Sequence, residues 1–337
     1  MFKTQPVQAN GKTYLYYVYE NEHMKLIFSQ LGGTIIDWKT KNMDGAFESI
    51  VMSYANAESY HINDKSLGAT VGPYAGRIFP SKLELSHGTY ELDSNFLNHS
   101  TLHSAKDNFQ SKLCDVEVVN DHLIIFKTTH DDQNTKYPGQ TSYEMVFEID
   151  QNTLHQTYRS FAKKDTYTNL TNHTYFNLSG NLKNDILNHH LIIPASTYGD
   201  LNEFFLTQSL SNVEDTIFDF RKPKPLKETV LTLKDTAIKG LDHPFMLEKG
   251  PIILKDPYSH RVLEIHTDQD SVVLYTNNFL TEASINHRLM DEPFLAVCLE
   301  TQHFPNDVHF FKEPFSFHKK DTIHIQKTSY KVYLETL

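Results

Sequence analysis

Asn169-Leu170-Thr171-Asn172-His173-Thr174-Tyr175-Phe176-Asn177-Leu178 alternates between two sets of side chains. On a strand, Asn169, Thr171, His173, Tyr175 and Asn177 face one way, and Leu170, Asn172, Thr174, Phe176 and Leu178 face the other. The first set is a row of hydrogen-bonding groups around one imidazole, carried on a rigid element. A site for a polyhydroxylated ligand would be laid out in this way.

Outward from that stretch, the chain reads as many short strands joined by turns. Thr13 to Phe28 gives two strands separated by Glu20-Asn21-Glu22. Lys82-Leu83-Glu84-Leu85 and Thr89-Tyr90-Glu91-Leu92 form a hairpin with Gly88 at the turn. Asp115–Val119, His122–Thr128, Thr141–Ile149 and Thr153–Phe161 follow as strands. After the central stretch come a short buried strand at Leu191–Pro194 and a long excursion from Asp200 to Leu226. Gly240-Leu241-Asp242-His243-Pro244-Phe245 reads as a turn. Two more strands, Arg261–Thr267 and Ser271–Thr276, precede the apolar run Phe294–Leu299, and a closing strand carries Tyr330, Val332 and Leu334. Tyr54–Tyr60 is one of few helical turns. No repeat, low-complexity tract or interdomain linker interrupts this pattern, which indicates one all-β domain over residues 1–337, a large antiparallel β-sandwich with few short helices.

The totals limit what such a domain binds. Of 337 residues, 39% are hydrophobic, enough for a sizeable core. The net charge of −11 argues against nonspecific nucleic-acid binding and against an anionic membrane surface. The apolar runs are too short to cross a bilayer. With two cysteines and no basic-then-apolar leader read at the start, a reduced, cytoplasmic compartment is expected.

Five residues carry the candidate chemistry. Glu300 directly follows six apolar residues, so it is expected at the mouth of a buried strand, where desolvation raises a carboxyl pKa and suits it to act as a base. A solvated strand end is the plain alternative. His173 titrates near neutrality and can give and retake a proton, although a lone strand histidine is more often structural. Asp242, Arg77 and His103 each have a bland reading as turn or loop residues. Together the five supply two carboxylates, two histidines and one arginine.

Metal and nucleotide chemistry fit less well. Glu300-Thr301-Gln302-His303 is an E-x-x-H string, but its side chains converge only on a helix, and β-type sequence precedes it while Pro305 follows. His189 and His190 point apart on a strand. Neither a phosphate-binding loop nor a dinucleotide fingerprint is present, so no metal and no cofactor are expected. Two carboxylates, Asp242 and Glu300, leave a glycoside hydrolase open.

Five motifs, in order, resemble those of the aldose 1-epimerases (galactose mutarotases). They are Gly72-Pro73-Tyr74-Ala75-Gly76-Arg77-Ile78, Thr101-Leu102-His103, Thr171 to Leu178, Gly240 to Phe245, and Leu299-Glu300-Thr301-Gln302-His303-Phe304-Pro305-Asn306. The resemblance spans about residues 30 to 310. It implies a mutarotase-like β-sandwich with an open sugar cleft, and exchange of the α and β anomers of a free hexose such as galactose or glucose without a cofactor. By motif match Glu300 is the base and His173 the acid, while Arg77, His103 and Asp242 bind the ring. An aromatic face, Phe279 or Tyr175, is the expected stacking surface. A monomer or homodimer is expected. The chain departs from the family pattern at Gly76, where asparagine is usual, at Ser104-Ala105, where a glycine pair is usual, and at Leu206-Thr207-Gln208, where Pro-Thr-Gly is usual. These departures bear on the substrate more than on the reaction. A phosphorylated or otherwise modified sugar, or binding without turnover, are the alternatives.

Overall fold

The computed structural model describes residues 1–131, 133 and 135–335. Three antiparallel sheets dominate. A five-stranded sheet runs in chain order through Lys3–Ala9, Lys12–Glu20, Met24–Ser29, Ile35–Lys41 and Phe47–Ser49. A nine-stranded sheet begins with Asp115–Asn120, Leu123–His130, Thr141–Asp150 and Thr153–Ala162 as neighbours, then adds Ile323–Leu334 and Arg261–Thr267. Ile252–Lys255, His190–Ile192 and Lys224–Pro225 complete it. A six-stranded sheet has the order Tyr175–Phe176, Val297–Gln302, Ser271–Tyr275, Asp242–Met246, Thr197–Leu201 and Thr207–Asn212. The expected all-β architecture is the one observed.

The alternating residues of Thr141–Asp150 and Thr153–Ala162 explain the layering. Tyr143, Met145, Phe147 and Ile149 are buried while Ser142, Glu148 and Asp150 are exposed, the mark of a sheet wet on one face. Their buried side joins Phe28, Trp38, Phe126, Phe176 and Leu299 in one core shared by all three sheets. Every residue of Val297–Gln302 is buried, because this strand is covered on both faces.

Four sequence expectations are corrected. The stretch 169–178 is not one strand. Thr171–Asn172 pairs with Thr70–Val71, and Tyr175–Phe176 pairs with Val297–Gln302, with a break at His173-Thr174. Both of its faces are buried, and most of the polar row closes the fold: Thr171 donates to the Thr301 carbonyl, Asn169 to those of Ala75 and His303, and Asn177 to those of Asn184 and Leu295. Asp242 begins a strand rather than lying in a turn. The strand does not end with the apolar run at Leu299 but continues to Gln302, so Glu300 lies inside it and not at its mouth. The excursion forms the hairpin of Thr197–Leu201 and Thr207–Asn212, followed by a helix at Leu226–Leu233.

Candidate active site

Cross-strand register assembles the site. In the six-stranded sheet Tyr175 lies opposite Cys298, Cys298 opposite Tyr275, and Tyr275 opposite Asp242. Two residues along, Glu300 lies opposite Val273, and Val273 opposite Pro244. Directly paired residues share a face of a sheet, and this face floors a cleft of about 330 Å³. That volume is at the small end of the ~300–1,000 Å³ usual for small-molecule sites. All seven residues singled out in the sequence line it: Arg77, His103, His173, Tyr175, Asp242, Phe279 and Glu300.

Glu300 and His173 meet at the bottom. His173 Nε2 is 3.4 Å from Glu300 Oε1, and both side chains are nearly sealed from water. Burial is the main cause of both shifts. It raises the Glu300 carboxyl well above its ordinary value, helped by the nearby Asp242 and opposed by Arg77. It lowers the His173 imidazole to about 3. Each group is pushed toward its neutral form, so the proton between them rests on Glu300 while the His173 imidazole stays neutral.

Around the pair, each ligand-facing group is held by a partner. Arg77 Nη2 donates to Asp242 Oδ2 at 2.9 Å, and its guanidinium lies over the rings of Phe96 (4.5 Å) and Phe205 (5.1 Å). Burial still raises the Asp242 carboxyl despite Arg77. The Gly76 N–H donates to His103 Nδ1 at 3.1 Å, which leaves the hydrogen of a neutral His103 on Nε2. Burial, then the neighbouring His173, keeps His103 neutral. Gly76 has φ +77°, a conformation glycine adopts freely, and a Cβ there would lie 3.0 Å from Pro305 Cβ.

The departures at Ser104 and Ala105 also take a definite form. Both residues have positive φ, +59° and +49°, where glycine is favoured. Ser104 offsets its strain by binding the Tyr74 backbone twice, accepting from N–H at 2.8 Å and donating to the carbonyl at 3.1 Å.

Tyr175 does not serve as the expected stacking platform. Its ring is 2% exposed, stacks on His173 at 5.1 Å, and its hydroxyl donates to the Lys65 carbonyl. Phe279 is 40% exposed at the rim, with Lys239 Nζ over its ring at 5.6 Å and the Phe205 ring 5.8 Å away. Sequence reasoning missed Phe96, Phe205, Lys65 and Cys298. For Cys298 the signal was present, since it lies two residues before Glu300 and therefore on the same face.

His103, His173 and Glu300 place one ligand atom each within 4.8 Å of one another, the spacing of a metal site. The donor chemistry does not fit an ion, because a metal on His103 Nε2 would force the hydrogen to Nδ1, against the Gly76 N–H. The same atoms suit proton exchange with a hydroxylated ligand.

An antiparallel β-sandwich whose cleft joins a buried carboxyl to a buried imidazole, ringed by hydrogen-bonding groups and one aromatic face, defines a carbohydrate-directed acid–base protein. A profile of the family described as aldose 1-epimerase matches residues 16–331. The galactose mutarotase of Mus musculus is 31% identical, over 86% of this chain and 87% of its own length. The aldose 1-epimerase of Haemophilus influenzae is 30% identical, over 88% of each. The fold superimposes on a galactose 1-epimerase from Lactobacillus acidophilus with a TM-score of 0.83 at 23% identity, each chain covered in full. The chain belongs to the aldose 1-epimerase family, carbohydrate isomerases.

Proposed function

We propose that the protein interconverts the α and β anomers of a free hexose such as galactose or glucose, with Glu300 as base and His173 as acid. The observation that carries this reading is the 3.4 Å approach of His173 Nε2 to Glu300 Oε1 at the floor of a monosaccharide-sized cleft. The anomeric oxygen O1 and the ring oxygen O5 are both bonded to C1, so two groups this close can each reach one of them.

Transfer of the shared proton from Glu300 to His173 creates carboxylate and imidazolium together. The carboxylate takes the proton of the O1 hydroxyl. A C1=O1 bond forms as C1–O5 breaks, and O5 takes the Nε2 proton. After rotation about C1–C2 the steps reverse, with O5 attacking the other face of the aldehyde. Protons and electron pairs balance on these two side chains. The shifts toward neutrality make the transient carboxylate a stronger base and the transient imidazolium a stronger acid than the free groups, and ring closure returns both to the ionised pair. The His103 Nε2–H, Asp242 and Arg77 supply hydrogen bonds to hydroxyls.

Several features support a neutral sugar over a phosphorylated one. Arg77 is neutralised by Asp242, and Lys65 is paired with Asp291 at 3.2 Å. Arg221 binds Asp219 on the surface and does not line the cleft. A phosphate dianion would need an uncommitted cation. The chemistry needs no cofactor and fits one cytoplasmic domain. No helix among the described residues is long and apolar enough to cross a membrane.

Polarimetry of freshly dissolved α-galactose and α-glucose tests the reading. The protein should speed the drift to equilibrium, and Glu300→Gln or His173→Asn should each lower kcat by roughly 10²- to 10⁴-fold. Full rate in both variants would refute the assigned roles.

A further inference from the structure

The second ring nitrogen of His173 decides whether the first can work as described. During the cycle Nε2 alternates between N–H and a bare lone pair. Nδ1 must therefore carry a hydrogen throughout, because an imidazole bare at both positions is an inaccessible anion. That hydrogen needs an acceptor in a site closed to water. The side chain in position is Cys298, whose Sγ is 3.4 Å from Nδ1. Its accessible surface is nil, and its thiol faces the ring because Cys298 pairs with Tyr175, two residues beyond His173.

We propose that Cys298 is a positioning residue for this proton transfer, its sulfur accepting the Nδ1–H of His173 and so keeping Nε2 as the nitrogen that faces Glu300 and the sugar. The inference rests on the acid–base reading of the same cleft. The ring is fixed in this setting by stacking on Tyr175, with interplanar angle 23°, and by the edge contact with His103 at 5.5 Å. Turning the imidazole over would put a carbon against the sulfur and another against Glu300.

The choice of sulfur has a chemical consequence. In hydrolytic triads a carboxylate takes the place of this acceptor and stabilises the imidazolium, making histidine a better base. A thiol is a weak acceptor and leaves the imidazolium a strong acid. A ring oxygen is a poor base, so an acid of that kind is what ring opening requires. Burial holds the Cys298 thiol well above its ordinary pKa, with a further contribution from Glu300, so the sulfur stays neutral and adds no charge beside the carboxyl.

The direct test is the tautomer. Protein labelled with ¹⁵N in its histidines, with the His173 signals assigned by loss in His173→Asn, should show hydrogen on Nδ1 and a bare Nε2 near neutral pH. Cys298→Ala should shift His173 toward a mixture of tautomers and lower kcat about tenfold, with KM changed less than twofold. Cys298→Ser, which restores a shorter-reaching acceptor, should recover part of the rate. Cys114→Ala is the control, since Cys114 is also buried but its Sγ donates to the Lys112 carbonyl instead of meeting His173, and its variant should leave tautomer and kcat unchanged. A wild-type His173 with hydrogen on Nε2 would overturn the proposal, and this spectrum decides the matter even if Cys298→Ala does not fold. So would a Cys298→Ala enzyme with wild-type tautomer and kcat. Wild-type polarimetry reports separately on the mutarotase reading, so the two can fail independently.

Discussion

Glu300 is held where an ionised carboxylate is least welcome, and the fold bears the cost. Its folded pKa lies above the unfolded value, mainly through burial. The folded state therefore binds the proton more tightly, and folding stability falls as pH rises from about 4.5 through the folded pKa. Gln cannot ionise but has nearly the same shape as a protonated Glu. Glu300→Gln should thus raise Tm at pH 8, by about 2 °C or more, even as it lowers kcat. The advantage should vanish at pH 4, where Glu300 is protonated in both states. Calorimetry at the two pH values checks this, and an equal shift at both would show that burial of charge is not the cause. His173 acts in the opposite window. Its folded pKa of about 3 lies below the unfolded value, so stability is lost as pH falls from about 6.5 toward 3.

At the scale of elements, the hairpin Thr197–Leu201/Thr207–Asn212 delivers a clamp into the cleft. Phe205, at its tip with φ +62°, packs against Phe96 at 5.4 Å, and both rings flank the Arg77 guanidinium. Beside it Phe204 stacks on His99, which stacks on Phe79 at 4.2 Å, fastening the tip to the loop before His103. The arginine is thus fixed by two aromatic faces and one carboxylate before any sugar arrives. A cation–aromatic contact shielded from water is worth about 0.5–2 kcal/mol. Phe205→Ala should accordingly raise KM for galactose roughly 3- to 30-fold with a smaller effect on kcat, read by polarimetric kinetics. A loss confined to kcat would place Phe205 in the chemical step instead. This clamp was invisible in the sequence because its parts are about a hundred residues apart and its hairpin has no regular apolar alternation: Thr207–Asn212 is mostly exposed. The outer strands were legible because one face is wet and one dry. Asp242 and the far end of Val297–Gln302 were misplaced for the converse reason, since strands covered on both sides lose the alternation that marks them. Glu300, His173, Arg77, His103 and Asp242 still fall in one cleft despite these errors, because they were identified by motif and strand boundaries do not alter motif identity.

The cleft is lined by the six-stranded sheet and adjoining loops, and the other two sheets back it through a shared core, so what ties the sheets together holds the fold behind the site. Arg261, from the nine-stranded sheet, is 1% exposed and donates to Glu48 Oε2 at 2.8 Å in the five-stranded sheet. Its other arm donates to the carbonyl of Leu178, the last residue of the stretch that carries His173. Lys183 completes the group from the surface side. Gly180 is required beside it, because a Cβ there would lie 2.2 Å from Glu48 Oε2. Burial alone would raise the Glu48 carboxyl, yet Lys183 and Arg261 hold it below the ordinary value. Its stabilising effect is therefore present above the ordinary carboxylate range and is lost in acid. Removing one member of such a group leaves a buried charge without a partner, which costs about 3–5 kcal/mol, whereas an exposed partner contributes about 0–1 kcal/mol. Glu48→Ala should lower the urea-unfolding free energy by the larger amount and Lys183→Ala by the smaller, since Lys183 is 54% exposed. Equal losses would mean that the lysine carries the connection. Because Arg261 reaches the cleft only through the backbone at Leu178, Glu48→Ala protein that remains folded should keep its kcat. A kcat that fell in step with stability would show that the sheets position His173 continuously rather than merely holding the fold closed.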